Sequence, residues 1–254
     1  MVDIHSHILP GLDDGPKTLD ESVEMLRQAA EAGTTDIVAT PHANNEYVFD
    51  PELIAAKIAE IQSAAGPIPR IHCGCDFHLT LENIQEALSN PGKYSINHLG
   101  YLLIEFSEAL IPKTTQEIFD RFLRAGLTPI ITHPERNFLL QKKIDQIYQW
   151  VEKGALVQVT AGSITGMFGR AAKSAAGQLI DRNLVHLVAS DAHDTHHRTT
   201  KLRDAYDAVE KAWGAERAEL FFVSAPRSVI AGKEIPWTEP EPGPEKRKWY
   251  RLGF

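Results

Sequence analysis

The sequence is poor in cysteine and contains no long apolar run. Its only cysteines, Cys73 and Cys75, stand one residue apart, which excludes a framework of disulfide bonds. No apolar stretch approaches the roughly 20 residues that a membrane-spanning helix needs. The first residues, MVDIHSHILP, also lack the basic segment and apolar run of a secretion signal. We therefore expect a cytoplasmic protein without a membrane-inserted segment.

An excess of basic residues is missing as well. The chain has 26 Lys and Arg against 34 Asp and Glu, for a net charge of −8. Without surplus positive charge to neutralise phosphates, we expect no general binding of nucleic acid. A small anionic substrate is still compatible with this charge, because metal ions can outweigh it locally. The 254 residues, of which 43% are hydrophobic, are enough for one large domain with a sizeable core.

Short apolar segments rich in β-branched residues alternate with amphipathic segments along the chain. The predicted strands are residues 2–5, 36–40, 70–74, 101–106, 128–132, 156–160 and 185–190. Gly33, Gly126 and Gly154 mark helix ends shortly before a strand. Such alternation predicts a parallel sheet, and seven repeats in a chain of this length favour a closed or nearly closed barrel. We therefore expect an α/β protein with a distorted TIM-like (β/α)7 barrel, formed by residues 1–235 as a single domain.

The end of the sequence has a different composition. Residues 236–244 contain four prolines and cannot form a helix or a central strand. Basic and aromatic residues follow at 245–251. We expect a C-terminal tail over residues 236–254. It is either solvated or, alternatively, in contact with the body or a partner through Trp249, Tyr250 and Phe254.

Histidines and carboxylates gather around the end of the first predicted strand. His5 and His7 are two residues apart. Side chains at this spacing on a strand point to one face, so both imidazoles can reach one ion. Asp13 and Asp14 follow in the next loop, and either is within reach. A His-x-His pair is a weak signal by itself, so the prediction depends on the other strands.

The same residue types stand near the ends of five further predicted strands. In chain order they are His42, Asp76, Glu105, His133, and Asp191 with His193. Barrel enzymes keep their active sites at the carboxyl ends of the strands. A carboxylate in an apolar strand, such as Glu105, is costly to bury unless it is paired or bound to metal. Structural histidines would scatter over both ends of the strands, so this placement predicts a metal site.

The candidate ligands are five histidines and four carboxylates, without a thiolate. This set suits manganese, iron or zinc and suits magnesium poorly. Nine ligands exceed the coordination sphere of one ion and indicate two or three divalent ions. We expect the remaining histidines at the surface or behind the ligands, with His78 or His197 as candidates to line the cleft. For Cys73 and Cys75, burial on a strand is favoured over a role as soft ligands.

With these motifs, the sequence resembles the polymerase-and-histidinol-phosphatase (PHP) family of metal hydrolases. Within that family it is similar to the manganese-dependent tyrosine-protein phosphatases of bacterial capsule and exopolysaccharide operons, the CpsB/YwqE type. The likeness runs along essentially the whole chain. It rests on the segments DIHSHILP at 3–10, DDG at 13–15, ATPH at 39–42, LIEF at 103–106, HPERN at 133–137 and VASDAH at 188–193.

The resemblance implies a PHP fold with a three-metal centre, manganese being the expected metal. The ligands that it implies are His5, His7, Asp14, His42, Asp76, Glu105, His133, Asp191 and His193. Arg136 and Arg198 match two arginines of the family's phosphate pocket, and Asp14 joins them in the expected catalytic set. Relatives usually have Glu where this chain has Asp76. The shorter side chain is expected to shift one ion or to weaken its binding. Asp13 stays open as an alternative to Asp14.

The implied activity is hydrolysis of phosphotyrosine by a metal-activated hydroxide, while the metals and Arg136 hold the phosphoryl oxygens. A tyrosyl leaving group, with a pKa of about 10, needs little help from a general acid. The implied substrate is a phosphotyrosine-bearing bacterial tyrosine kinase that controls exopolysaccharide synthesis. A cysteine mechanism is not expected, because Leu79 and Leu81 stand six residues after the cysteines, where cysteine phosphatases usually have an arginine.

Three alternatives stay open. Another PHP phosphoesterase would act on histidinol phosphate or a nucleotide, whereas Phe106, Leu110 and Ile111 suit an aromatic ring. A non-catalytic regulator would have lost ligands, and none of the nine positions is empty. Arg136 could instead form an ion pair with Glu135 or another carboxylate.

Overall fold

The computed structural model describes residues 1–236 and 238–243. All seven predicted strands are present, together with two short additional ones. The strands are β1 (Val2–Ser6), β2 (Asp36–Ala39), β3 (His42–Ala43), β4 (Arg70–Cys73), β5 (Asp76–His78), β6 (Tyr101–Glu105), β7 (Thr128–Thr132), β8 (Leu156–Thr160) and β9 (Leu187–Ala189). The α-helices are α1 (Leu19–Glu31), α2 (Pro51–Ala65), α3 (Leu81–Ser89), α4 (Thr115–Arg124), α5 (Ile144–Glu152), α6 (Ala161–Thr165), α7 (Gly169–Asp181), α8 (Arg203–Trp213), α9 (Ala215–Glu219) and α10 (Ala225–Ile230). A 3₁₀-helix at Ile96–His98 and a π-helix at Leu220–Ser224 also occur.

The strands pair in parallel and form two sheets that continue into one another. One sheet has the order β1-β2-β4 and the other the order β3-β5-β6-β7-β8-β9. Only two residues separate β2 from β3, and two separate β4 from β5. The backbone N–H of His7 donates to the carbonyl of Ala192 at 2.8 Å, which joins the end of β1 to the segment after β9. The strand positions thus follow chain order, as expected for a seven-stranded (β/α) barrel in a single α/β domain.

The strands are buried on both faces. Side chains from six strands, among them Ile4, Leu103 and Ile130, share one buried apolar cluster. The residues next to them, such as Ile37 and Ile131, pack with the helices in a larger cluster. Burial on both faces explains why the strands read as almost continuous apolar runs in the sequence.

The glycines predicted to end helices do so. Gly33, Gly126 and Gly154 follow α1, α4 and α5 with φ of 88°, 78° and 100°. Only glycine adopts this backbone region without steric cost, so each position lets the chain leave a helix and enter the next strand.

The alternation of side chains between the two faces of strand β1 is interrupted part-way along the strand. Val2 and Ile4 lie in the inner apolar cluster, and strict alternation would place Ser6 rather than His5 on that face. The register of β1 against β2 shifts between Asp3 and Ser6. Such irregularities re-aim side chains. Here the shift lets His5 follow Ile4 to the inside.

The described end of the chain contacts the residues that follow α7. The N–H of Glu241 donates to the carbonyl of Arg182 at 2.8 Å, and Nε of Arg182 donates to the carbonyl of Glu241 at 3.0 Å. The predicted contacts of Trp249, Tyr250 and Phe254 fall outside the described residues. The boundary between barrel and tail at residues 235 and 236 stays a prediction. Among the helices of the described ranges, none combines the length and apolarity needed to span a membrane.

Candidate metal centre

All nine predicted ligands meet at the carboxyl ends of the strands. His5, Asp76 and Glu105 belong to strands β1, β5 and β6, and His42 begins β3. His7 and His133 directly follow β1 and β7, Asp191 and His193 lie two and four residues after β9, and Asp14 lies eight residues after β1. Together with His78, the nine form four overlapping groups, and within each group the ligand atoms lie within 4.8 Å of one another. The geometry that the sequence predicted for these side chains is therefore present.

Asp76 lies between two of the imidazoles. Its side chain is fully buried. Its Oδ2 is 3.1 Å from Nδ1 of His42 and 3.6 Å from Nε2 of His5. A 3.0 Å hydrogen bond between Nδ1 of His5 and Oε1 of Gln158 fixes that ring, so Nε2 faces the cluster. The short aspartate side chain thus reaches both histidines.

Asp191 connects the histidines to both arginines. Its Oδ1 is 3.5 Å from Nε2 of His5 and 3.5 Å from Nε2 of His7. Its Oδ2 accepts a hydrogen bond from Nη2 of Arg198 at 2.6 Å and another from Nη1 of Arg136. One buried carboxylate therefore borders both the ligand cluster and the two guanidinium groups.

Glu135 does not form the ion pair with Arg136 that the sequence left open. Its Oε1 accepts the N–H of Thr160 at 2.9 Å and the hydroxyl of Ser163 at 2.7 Å. Burial raises the pKa of Glu135 to about 7. The carboxyl group ties the loop after β7 to the start of α6, while the ion pair of Arg136 is with Asp191.

Asp14, and not Asp13, belongs to the candidate ligand groups of the described residues. Oδ1 of Asp14 is 3.4 Å from Nε2 of His42 and 3.3 Å from Nε2 of His193. Asp13 lies behind His7 instead, with its Oδ2 2.7 Å from Nδ1 of that ring. A carboxylate in this position orients a ligating histidine and raises its basicity.

Carboxylates of the cluster raise the pKa of two of its imidazoles. Burial alone would lower the pKa of His5, but Asp76 and Asp191 outweigh it and raise the pKa to about 9. The same holds for His42. Burial lowers its pKa, but Asp14 and Asp76 outweigh this effect and raise the pKa to about 11. Burial also raises the pKa of Glu105, with repulsion from Asp76 adding to it. Carboxylates that draw protons onto neighbouring imidazoles provide a setting in which divalent cations are stable.

Two other imidazoles are held in the neutral form that binds metal. Burial, followed by repulsion from His193, lowers the pKa of His7 to about 4. Burial lowers the pKa of His133 to about 3, although Asp191 opposes it. A histidine must be deprotonated at the coordinating nitrogen, so both rings are ready to ligate at neutral pH.

Several buried ligand atoms make no hydrogen bond of acceptable geometry within the described residues. They are Nδ1 of His42, both carboxylate oxygens of Asp76, Nε2 of His78 and Oε2 of Glu105. Buried polar atoms normally take part in hydrogen bonds. A set of buried nitrogen and oxygen atoms without hydrogen bonds at one place therefore needs another binding partner. Imidazole and carboxylate donors that converge in this way fit a group of divalent metal ions.

Comparison with known proteins identifies the family. The family model for capsular polysaccharide synthesis, CpsB/CapC, matches residues 1–231. The chain belongs to the CpsB/CapC family. CapC of Staphylococcus aureus is 35% identical over 99% of this chain and 100% of its own length. YwqE of Bacillus subtilis is 34% identical over 98% of each chain, and CpsB of Streptococcus pneumoniae is 31% identical over 92% of this chain and 100% of its own. YwqE and CpsB are named tyrosine-protein phosphatases.

Solved structures agree with the family assignment. A chain from the crystal structures of YwqE and CpsB, described as metal-dependent tyrosine phosphatases, matches with a TM-score of 0.89 at 33% identity. The match covers 96% of this chain and 100% of that one. A lactonase from Listeria monocytogenes, at 14% identity and a TM-score of 0.55, shares the fold alone.

In this CpsB/CapC chain, His78 is a member of the cluster that the sequence did not single out as a ligand. Its Nε2 lies 2.5 Å from Oε2 of Glu105. Asp76 and His78 are two residues apart on β5, as His5 and His7 are around the end of β1. That spacing was the available signal, but a strand was not predicted at this place. The other candidate, His197, is exposed and outside the four ligand groups of the described chain.

Of the three apolar residues expected to hold an aromatic substrate ring, two are buried and one is exposed. Phe106 stacks on Trp150 with ring centroids 5.4 Å apart, and Ile111 is also buried in the CpsB/CapC core. Only Leu110 is exposed, at 66%. The prediction for Phe106 and Ile111 is therefore wrong, because the loop after β6 folds them under the helices.

Neither cysteine belongs to the ligand groups found in the described ranges. Cys75 is fully buried, and burial raises the pKa of its thiol well above the usual value. The Sγ of Cys73 lies 3.7 Å from Nε2 of His98, a histidine outside these groups.

Proposed function

We propose that this member of the CpsB/CapC family is a metal-dependent protein-tyrosine phosphatase whose nine clustered ligands hold two or three divalent ions. The donors combine imidazole and carboxylate without thiolate, which suits manganese, iron or zinc. The resemblance to manganese-dependent phosphatases favours manganese among the three. The family assignment and the naming of YwqE and CpsB as tyrosine-protein phosphatases support the activity. The same reasoning favours phosphotyrosine over histidinol phosphate or a nucleotide as the substrate.

The observation that carries the proposal is the double role of Asp191. Its two oxygens face the imidazoles of the cluster on one side and two guanidinium groups on the other. A phosphoryl group bound beside the ligand cluster would therefore meet Arg136 and Arg198. Guanidinium groups recognise phosphate oxygens through paired, planar hydrogen bonds.

Divalent ions held here would neutralise phosphoryl charge and lower the pKa of a bound water. Arg136 and Arg198 would hold the oxygens that carry charge as the bond to the tyrosyl oxygen breaks. Asp14 is the third residue of the proposed catalytic set, and its side chain is 49% exposed at the cleft. Hydrogen bonding to His193 and His42 holds the pKa of Asp14 well below its usual range, so it is ionised at neutral pH. In that form it has no proton to donate as a general acid, which a tyrosyl leaving group with a pKa of about 10 tolerates.

The proposed substrate is a phosphotyrosine-bearing bacterial tyrosine kinase that controls exopolysaccharide synthesis. The family's description as a capsular polysaccharide synthesis family supports this setting. A cytoplasmic location is part of the proposal, and the two free thiols are compatible with a reducing compartment.

The test uses purified protein stripped of metal with a chelator and reloaded separately with manganese, iron, zinc or magnesium. Each form is assayed with a phosphotyrosine peptide, the matched phosphoserine peptide and histidinol phosphate, and its metal content is measured. We expect more than one ion per chain, loss of activity on chelation, and kcat/KM about tenfold or more higher for phosphotyrosine. Equal rates on histidinol phosphate would contradict the substrate, and one ion or fewer per chain would contradict the multinuclear centre.

A further inference from the structure

We propose that Phe168 is a positioning residue that holds the guanidinium of Arg136 ready for the phosphoryl oxygens. This inference rests on the proposed phosphatase function. Cζ of Arg136 lies over the ring of Phe168, 4.2 Å from its centroid. A phenyl ring has no lone pair to accept an N–H, so this contact leaves the donors of the guanidinium for oxygen acceptors. The ring can therefore restrain the group and leave its hydrogen-bonding edges available.

The restraint matters because the other described contact of this guanidinium is the ion pair with Asp191. A single contact through Nη1 leaves the group free to turn about that nitrogen. An aromatic face at stacking distance removes this freedom, and the attraction between the cation and the ring adds to it. Phe168 also lines, together with Arg198, a cavity of about 110 Å³. The ring thus lies near both phosphate-binding arginines.

The chain around Phe168 is built to place the ring. Gly166 and Gly169 flank the segment with φ of 100° and 85°, a region that other residues rarely adopt. The N–H groups of Gly166 and Met167 both donate to the carbonyl of Gly162, at 3.0 and 2.8 Å. These bonds close a tight turn after α6 and direct residue 168 back toward the cleft.

A glycine on α6 makes room for the ring. A Cβ at Gly162 would lie 2.8 Å from Cε2 of Phe168, closer than carbon atoms tolerate. The start of the same helix is fixed to Glu135, the neighbour of Arg136 in sequence, through Thr160 and Ser163. Arg136 and the ring that supports it are therefore tied to one another through α6 as well as through their direct contact.

The experiment measures steady-state kinetics of the metal-loaded protein on a phosphotyrosine peptide for Phe168→Leu and Phe168→Tyr. We expect Phe168→Leu to lower kcat about tenfold and to change KM less than about twofold, within the range of a cation–π contact. Phe168→Tyr keeps the ring and should retain wild-type kcat. Met167→Leu is the matched control, because Met167 is the neighbour of Phe168 in sequence and its side chain is 56% exposed. Metal content and Tm of each variant are measured alongside.

A double-mutant cycle separates positioning from a general structural effect. If Phe168 acts through Arg136, adding Phe168→Leu to Arg136→Ala should lower kcat no further. Gly162→Ala, which pushes on the ring from α6, should reproduce the loss and serves as the second test if Phe168→Leu does not fold. Wild-type kcat in Phe168→Leu, or losses that multiply in the double variant, would overturn the inference. If the wild type hydrolyses phosphotyrosine with none of the metals tested, the result contradicts the proposed function rather than the role of Phe168.

Discussion

Oδ2 of Asp13 lies 2.7 Å from Nδ1 of His7 and also accepts the backbone N–H of His42 at 3.2 Å. This buried carboxylate thus fixes the ring of one candidate ligand and the backbone of another. It supports the cluster without belonging to the ligand groups of the described residues.

Replacing Asp13 should therefore weaken metal binding without removing a ligand. We expect Asp13→Ala to bind manganese about 10- to 100-fold more weakly than the wild type, because His7 loses its orienting partner. Excess manganese should restore most of the activity. Calorimetric titration of the metal-free protein measures the affinity, with the exposed Asp20→Ala as control. Unchanged affinity would mean that the contact with His7 has no influence on the metals.

Asp76 should be sensitive to loss of charge and tolerant of a longer carboxylate. Asp76→Ala and the isosteric Asp76→Asn should each lower metal occupancy and activity about tenfold or more, because His5 and His42 lose the carboxylate between them. Asp76→Glu, which keeps the carboxylate, should keep both. Elemental analysis and aryl-phosphate kinetics check this. Normal occupancy in Asp76→Asn would remove Asp76 from the ligand set.

Arg136 should be needed for turnover and dispensable for metal binding. Arg136→Ala is expected to lower kcat about 100-fold, the usual effect of losing one donor to a developing oxyanion. Arg136→Lys should recover little, since an ammonium cannot copy a planar pair of donors. Metal content should stay normal, and the exposed Arg170→Ala provides the control. Loss of metal in Arg136→Ala would instead show that its pairing with Asp191 maintains the cluster.

His186 should make folding stability fall with acid, independently of the metals. Its Nδ1 accepts the N–H of Val157 at 3.1 Å, and burial lowers its pKa to about 4. The unfolded chain takes up this proton near pH 6.5, whereas the folded chain takes it up only near pH 4. The stabilisation is therefore complete above about pH 6.5 and is lost as the pH falls toward 4, by about 2 kcal/mol at pH 5.

The measurement is urea unfolding of metal-free protein at about pH 7.5 and pH 5 for the wild type and His186→Asn. Asparagine offers an acceptor near the position of Nδ1 but takes up no proton. The difference in unfolding free energy between the two proteins should shift by about 2 kcal/mol between the two pH values, in favour of the variant at pH 5. An equal dependence on pH in both proteins would show that His186 is not the group responsible.

The strands and the positions of the candidate ligands were predictable because their signals are local. Each strand is an apolar run bounded by a helix pattern, and each ligand stands near the end of such a run, so Glu105 and His133 could be placed without knowing their neighbours. The two strands that were missed, β3 and β5, have two and three residues. Runs this short leave no periodic pattern, which is why His78 was not recognised beside Asp76.

The sequence by itself determined the parallel α/β fold and the residue types gathered at one end of it, because a regular alternation of strands and helices leaves little choice of which ends meet. Tertiary structure alone decided which atoms face one another. Asp14 rather than Asp13 lies at the imidazole of His42, Arg136 pairs with a carboxylate 55 residues away, and Phe168 lies under that arginine. These contacts join segments that are remote in the chain. Their distances depend on the register shift in β1, which no local pattern of residues encodes, and on the turn after α6. The glycines of that turn are a local signal, but they do not tell which side chain the ring of Phe168 meets.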